Sequence, residues 1–141
     1  MTRAFALLFL GVILAQVTPA VAQTARGGIV IDLNRADSEG SACRLTFVAA
    51  NGLAPLSSLV LETVLFDRAG RVAQMTLFDF GALPEGRRRV RQFDVAGTDC
   101  AALGQMLVNG VARCEGEGLT PATCAAALSV TGEVDGLEVA Q

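Results

Sequence analysis

Leu59 to Phe80 reads LVLETVLFDRAGRVAQMTLFDF, and this stretch decides the fold. Its flanks are rich in Val, Leu, Thr and Phe, residues that suit a pleated, half-buried surface. Between them lies Asp67-Arg68-Ala69-Gly70. Aspartate bonds readily to its own local backbone, and glycine takes φ > 0 at the least steric cost. Two strands joined by a short glycine-containing loop make a hairpin, closed by a type I turn and a bulge. Leu59, Leu61 and Leu65 share one face of its first strand, and Val60, Val64 and Phe66 share the other. Apolar residues on both faces predict an interior strand covered on both sides.

Upstream, Ile29, Ile31 and Leu33 alternate within GIVIDLN, a first strand over residues 28–34. Arg35 to Ala42 is polar and contains glycine, which predicts a loop. Cys43, Leu45, Phe47 and Ala49 then share one face of a second strand, so Cys43 points inward. Asn51-Gly52 and Pro55 punctuate the next connection.

Downstream of the hairpin, Gly81 to Gly86 is a turn-rich break, and Arg87 to Val95 is a strand with the arginine content of a wet sheet edge. Thr98 or Asp99 can cap a helical turn over residues 100–104. Gln105 to Cys114 is a strand with a kink or bulge at Asn109-Gly110. Thr120 followed by Pro121 is an N-cap and a first-turn proline, predicting a short helix over residues 121–127. Leu128 to Val139 closes the chain as a strand broken near Gly132 or Gly136. Strands spaced by roughly 10 to 15 residues, with turn signals between them, predict an all-β, two-sheet sandwich of about seven antiparallel strands with immunoglobulin-like topology.

The chain has 141 residues. Its first 22 form a signal peptide: Met1-Thr2-Arg3 is the positive start, Ala4 to Val17 the apolar run, and Ala20-Val21-Ala22 the small-x-small cleavage pattern. The run falls short of the about 20 residues of a membrane span, and no cysteine near the cleavage point supports a lipid anchor. The mature chain, residues 23–141, is one domain's worth, with no membrane span after cleavage. It is expected in the periplasm or outside the cell.

Four cysteines in a short exported chain predict two disulfides rather than a metal site, since there is no histidine and no C-x-x-C pair. Three pairings are possible. In a sandwich of alternating strands, the second and sixth run the same way. Cys43 and Cys100 then lie at one end, and Cys114 and Cys124 across a short loop at the other. Cys43–Cys100 and Cys114–Cys124 are the expected bridges.

Loss of Arg3 leaves 10 arginines against 14 acids, a net charge of −4. An acidic chain of this kind is repelled by nucleic acid. No Lys, His, Trp or Tyr occurs. Ser57, Ser58 and Ser129 therefore lack a histidine to activate them, and carboxylates alone remain for acid–base work. Asp67 and Asp79 are the available pair, although they belong to a recurring Phe-Asp pattern, Phe66-Asp67, Phe78-Asp79 and Phe93-Asp94. Its plainer meaning is a phenylalanine in the core beside an aspartate at a strand end or turn. No enzyme, cofactor or metal site is expected.

The feature with functional contrast is Arg87, Arg88, Arg89 and Arg91. Strand alternation puts Arg87, Arg89 and Arg91 on one face, where guanidinium groups can grip a carboxylate or phosphate in bidentate fashion. The plain alternative is a solvated edge whose charges block aggregation and pair with nearby acids. The expected function is a non-enzymatic binding module for an envelope protein. A small-molecule or glycan-binding module that uses the arginine face is the alternative.

CRLTFVAANGL (43–53), LVLETVLFDRAGRV (59–72), LPEGRRRVRQFDV (83–95) and the spacing of Cys100, Cys114 and Cys124 together resemble a group of small exported alphaproteobacterial proteins, often labelled as twin-arginine-signal domain proteins. The resemblance covers nearly the whole mature chain and implies export. It brings no site residues with it, and the lone Arg3 here departs from a twin-arginine signal.

Overall fold

A computed structural model describes residues 27–141; the predicted signal peptide and its cleavage point lie outside these residues. Eight strands form: β1 (Ile29–Glu39), β2 (Ala42–Asn51), β3 (Leu56–Asp67), β4 (Val72–Asp79), β5 (Arg88–Ala96), β6 (Leu103–Gly116), β7 (Leu128–Gly132) and β8 (Glu138–Ala140). A 3-10 turn (Cys100–Ala102) precedes β6, and one helix, α1 (Pro121–Ala127), precedes β7. They build two four-stranded sheets, ordered β5-β2-β1-β7 and β4-β3-β6-β8. The fold is the expected two-sheet sandwich.

The central hairpin forms at the predicted turn. Gly70 N–H donates to the Asp67 carbonyl, and Gly70 has φ 75°. The Asp67 carboxylate accepts from the backbone N–H groups of Ala69 and Arg71, each at 2.9 Å. A register shift at Leu65/Phe66 marks the bulge. β3 is interior to its sheet, between β4 and β6. Only one of its faces lies against the other sheet, with Leu59, Leu61, Thr63 and Leu65 buried there. On the opposite face Val60 and Val64 are buried as well, Val64 between Met75 and Leu107, whereas Phe66, half-exposed, lies beside Val72 and Gln105. Phe66 is thus outside the inter-sheet core, unlike Phe78 and Phe80.

Two other expectations are corrected. Arg35 to Glu39 is strand, since β1 resumes its ladder after a bulge at Leu33/Arg35 and pairs with Ala42–Thr46. Its polar residues reflect a strand reaching into solvent, where Arg35 and Asp37 pair at 2.8 Å. Among the described residues the strands number eight, against about seven expected, and they are not all antiparallel. The turn at Val134–Leu137 splits the last segment, so β7 runs parallel to β1 in one sheet and β8 parallel to β6 in the other.

Cys43–Cys100 and Cys114–Cys124 are bonded as expected. The first ties β2 to the 3-10 turn, capped by the Asp99 carboxylate. The second ties β6 to α1, where Thr120 and Thr123 form a capping box and Pro121 opens the first turn. Cys124 is the one buried residue of that helix. Among the described residues, no helix is long and apolar enough to cross a membrane.

Candidate functional site

β5 lies at the edge of its sheet and pairs with β2 alone, so its other side is open. Its alternation is readable from its buried end. Val95 is buried and Phe93 packs on the core, which places Arg91 and Arg89 on the same inward-directed face. Arg88, Val90, Gln92 and Asp94 face outward. Arg87 sits in the turn just before the strand and is exposed.

Arg91 is engaged by the fold. Its Nε donates to the Phe80 carbonyl at 2.8 Å, its Nη2 to Ala82 at 3.4 Å and its Nη1 to Val90 at 3.1 Å. Beside it, Phe93 stacks on Phe78 with ring centroids 4.5 Å apart and meets Phe80 edge-on at 5.2 Å. Arg91 and these rings together close the seam where β5 of one sheet meets the end of β4 in the other. The predicted row of three therefore divides. Arg91 is a seam residue, whereas Arg87 and Arg89 remain with Arg88 at the strand's start.

Those three have no carboxylate partner among the described residues. Other arginines do. Arg44 binds Asp94 through Nε and Nη2 at 2.8 and 3.0 Å, with Glu39 at 3.2 Å. The Asp94 bond holds the Arg44 guanidinium above its ordinary pKa, and the same bond holds the Asp94 carboxyl below the usual carboxylate value. Arg71 pairs with Asp67 at 2.9 Å. The backbone N–H of Arg71, more than its guanidinium, lowers the Asp67 pKa.

The carboxylate pair does not assemble. Asp67 ends β3, while Asp79 lies opposite Val60 at the other end of the hairpin. Seven residues of strand separate Val60 from Asp67, roughly 23 Å at the rise of an extended chain. Acid–base pairs on glycosidic bonds need carboxyl groups about 5–10 Å apart. Each aspartate also has a local task, since Asp79 accepts from the Gly81 N–H at 2.8 Å. Among the described residues, no three His, Cys, Asp or Glu side chains cluster to hold a metal ion.

Two clefts stand out on the surface of the described residues. One, about 290 Å³, lies between the β1–β2 turn and the Gly97–Asp99 loop; the other, about 400 Å³, lies by Asp32, Asn34, Thr131 and Glu133. Neither is lined by an arginine. Sequence reading missed the apolar outer row of β4, where Val72, Met75 and Leu77 are 57%, 61% and 59% exposed. The signal was present in the two-residue period: once Phe78 faces the core, Leu77 and Met75 face away.

The chain matches no family model, no curated protein and no solved structure.

Proposed function

We propose that this chain is an exported, periplasmic, non-enzymatic interaction module that binds an acidic segment of an envelope protein along the β5 edge. The observation that carries this reading is that the guanidinium groups of Arg87, Arg88 and Arg89 have no carboxylate partner among the described residues, Arg89 bonding only to the neighbouring Arg88 carbonyl at 3.3 Å. In a sequence with 14 acids, Arg35, Arg44, Arg71 and Arg113 each find a carboxylate and these three do not. Their charge is open to a partner's carboxylates, to which guanidinium bonds in bidentate fashion. The open side of β5 adds main-chain donors and acceptors to which an extended segment can pair.

Export is supported by the charged, apolar and small-residue pattern of residues 1–22, and by two disulfides, which persist in oxidising compartments. An immunoglobulin-like assignment is supported by the orders β5-β2-β1 and β4-β3-β6. The missing histidine, lysine and tyrosine, with the separation of Asp67 from Asp79, favour binding over catalysis. A small-molecule or glycan ligand is the weaker reading, because the clefts beside the β1–β2 turn and beside Asp32 are lined by no arginine and Arg91 is engaged by the fold.

The test is affinity capture from periplasmic extract, comparing wild type with Arg87→Glu, Arg88→Glu, Arg89→Glu combined and Arg91 left in place. A partner that wild type holds, and that is lost both in the variant and at high salt, is the expected result. A partner retained by the variant removes the arginines from the interface. No partner at all overturns the reading in favour of small anions or glycans, to be screened by thermal shift.

A further inference from the structure

Two Asn-Gly pairs occur in the chain, Asn51-Gly52 and Asn109-Gly110. This dipeptide reacts with itself in water, because glycine has no side chain to keep its backbone nitrogen from the preceding amide carbon. Attack by that nitrogen closes a cyclic imide and expels the amide as ammonia. The fold treats the two pairs differently. Asn51 is 1% exposed, and its amide is fixed by bonds from Leu53 and to Ala54 and Leu83. Its would-be attacker is occupied too, since the Gly52 N–H donates to the Gly28 carbonyl at 2.7 Å. Neither group is free to react while the fold is intact.

Asn109-Gly110 has none of this cover. Asn109 is exposed and is the extra residue of a bulge: Val108 lies opposite Thr63 and Gly110 opposite Glu62, which leaves Asn109 without a partner on β3. A second shift, between Val60 and Leu61, leaves out Ala112 in the same way, so only Gly110 and Val111 keep the ladder between the two bulges. On the far side, β8 pairs with β6 at Gln105–Leu107 and stops short of the bulge. Segments with so few ladder bonds open locally at little cost. The Asn109 amide donates to the Glu62 carboxylate and has no other partner among the described residues. We infer that Asn109 is a self-modification site, converted to aspartate and isoaspartate in the folded protein while Asn51 is preserved. The Gly110 nitrogen loses its proton to solvent and bonds to Cγ of Asn109, and the Cγ–Nδ2 bond breaks to release ammonia. Water then opens the imide, at Cγ to give aspartate or at the main-chain carbonyl to give isoaspartate, with nothing oxidised or reduced. Either product replaces the amide donor with a carboxylate beside Glu62, so a bond between β3 and β6 becomes a like-charge contact.

The site lies on the opposite sheet from Arg87, Arg88 and Arg89 and stands or falls apart from the acidic-partner reading. The experiment incubates the mature chain, residues 23–141, in warm, mildly alkaline buffer and maps its reduced tryptic peptides by mass spectrometry against an unincubated control. Trypsin cuts after arginine, so the two pairs fall on separate peptides, residues 45–68 and 92–113. In the folded protein Asn109 should convert at least about tenfold faster than Asn51, which reacts only when its site opens. In urea with a reductant the two rates should come together. Gly110→Ala should slow conversion of Asn109 with an unchanged melting curve, since no atom lies within 4 Å of a Cβ built at Gly110. If Gly110→Ala disturbs folding, the comparison of folded and unfolded wild type decides alone. Folded Asn109 as slow as Asn51, a difference that persists in urea, or a well-folded Gly110→Ala protein that converts as fast as wild type overturns the inference.

Discussion

Asn51 is 1% exposed and uses its side chain completely. Its Nδ2 donates to the carbonyls of Ala54 at 3.0 Å and Leu83 at 2.9 Å, and its Oδ1 accepts from the Leu53 N–H at 3.0 Å. One amide thereby joins the end of β2 to the β2–β3 connection and to the loop that leads into β5. Truncation takes a partner from the half-buried Leu53 N–H and Ala54 carbonyl and leaves the Leu83 carbonyl with the Leu56 N–H alone, so Asn51→Ala should cost about 1–3 kcal/mol, read as a lower urea midpoint. A loss under about 1 kcal/mol would mean that water replaces the side chain. Thr63 is the opposite case. Its hydroxyl is buried on the inner face of β3 with no hydrogen-bond partner among the described residues. Valine has the same shape without the hydroxyl, so Thr63→Val should stabilise by about 1 kcal/mol, a melting rise of roughly 4 °C. The surface carboxylates add a pH dependence. Asp67 and Asp94 hold their pKa below the ordinary aspartate value in the folded chain, through backbone and guanidinium hydrogen bonds respectively. A depressed folded pKa stabilises above the unfolded value of about 3.9 and is lost as pH falls through the folded one. Thermal stability should therefore drop below about pH 4, less steeply in Asp94→Asn, and salt should flatten the difference.

At the level of elements, the most local features were the most legible. The hairpin turn needs only Asp67 to accept from Ala69 and Arg71 and Gly70 to take φ 75°, and all of this is written within five residues. No atom lies within 4 Å of a Cβ built on Gly70, so Gly70→Ala should cost about 1–2 kcal/mol through backbone conformation alone. Differential scanning calorimetry would show it. A cost near zero would mean that the turn shifts to a right-handed form. The α1 cap at Thr120-Pro121, the Asp99 cap and the bulge at Asn109 were legible for the same reason. Pairing partners were not. β1 continues through Arg35–Glu39 because β2 is there to receive its hydrogen bonds, and polarity alone cannot reveal a ladder made with residues 42–46. The parallel pairings of β7 and β8 depend on a reversal at Val134–Leu137 that sends one segment to two different sheets. The Phe-Asp pattern groups Phe66 with Phe78 and Phe93 as core, yet its parity with Val64 places it on the outer face, and parity outranks a local motif in a strand.

For the whole molecule, the question is what keeps two sheets together once their faces are packed. The bridges act first: closing loops of 57 and 10 residues is worth about 4 and 3 kcal/mol in the loop-entropy view, against a total stability of about 5–15 kcal/mol. Reduction should therefore leave the chain marginal or unfolded at 37 °C, as seen by far-ultraviolet circular dichroism. The seams act second, and they are stitched from side chain to main chain on both sides. Gln141 holds β7 from the turn side. Arg91 holds the other seam, carrying two of its nitrogens across to the Phe80 and Ala82 carbonyls beside the Phe78–Phe93 stack, while the third bonds to Val90 of its own strand. This division explains why the arginine cluster was only half legible as a site. Four guanidinium groups look alike in the sequence, and only the facing loop decides that one of them completes the fold. The contrast can be measured on neighbouring residues. Arg91→Met keeps the aliphatic stem but leaves the Phe80 and Ala82 carbonyls unmet, so it should cost about 1–2 kcal/mol and speed amide exchange along β4 and β5. Arg88→Met, on the exposed outward face of the same strand, should leave both unchanged. Equal effects from the two would show that the seam holds by aromatic packing alone, and would return Arg91 to the surface that partners can read.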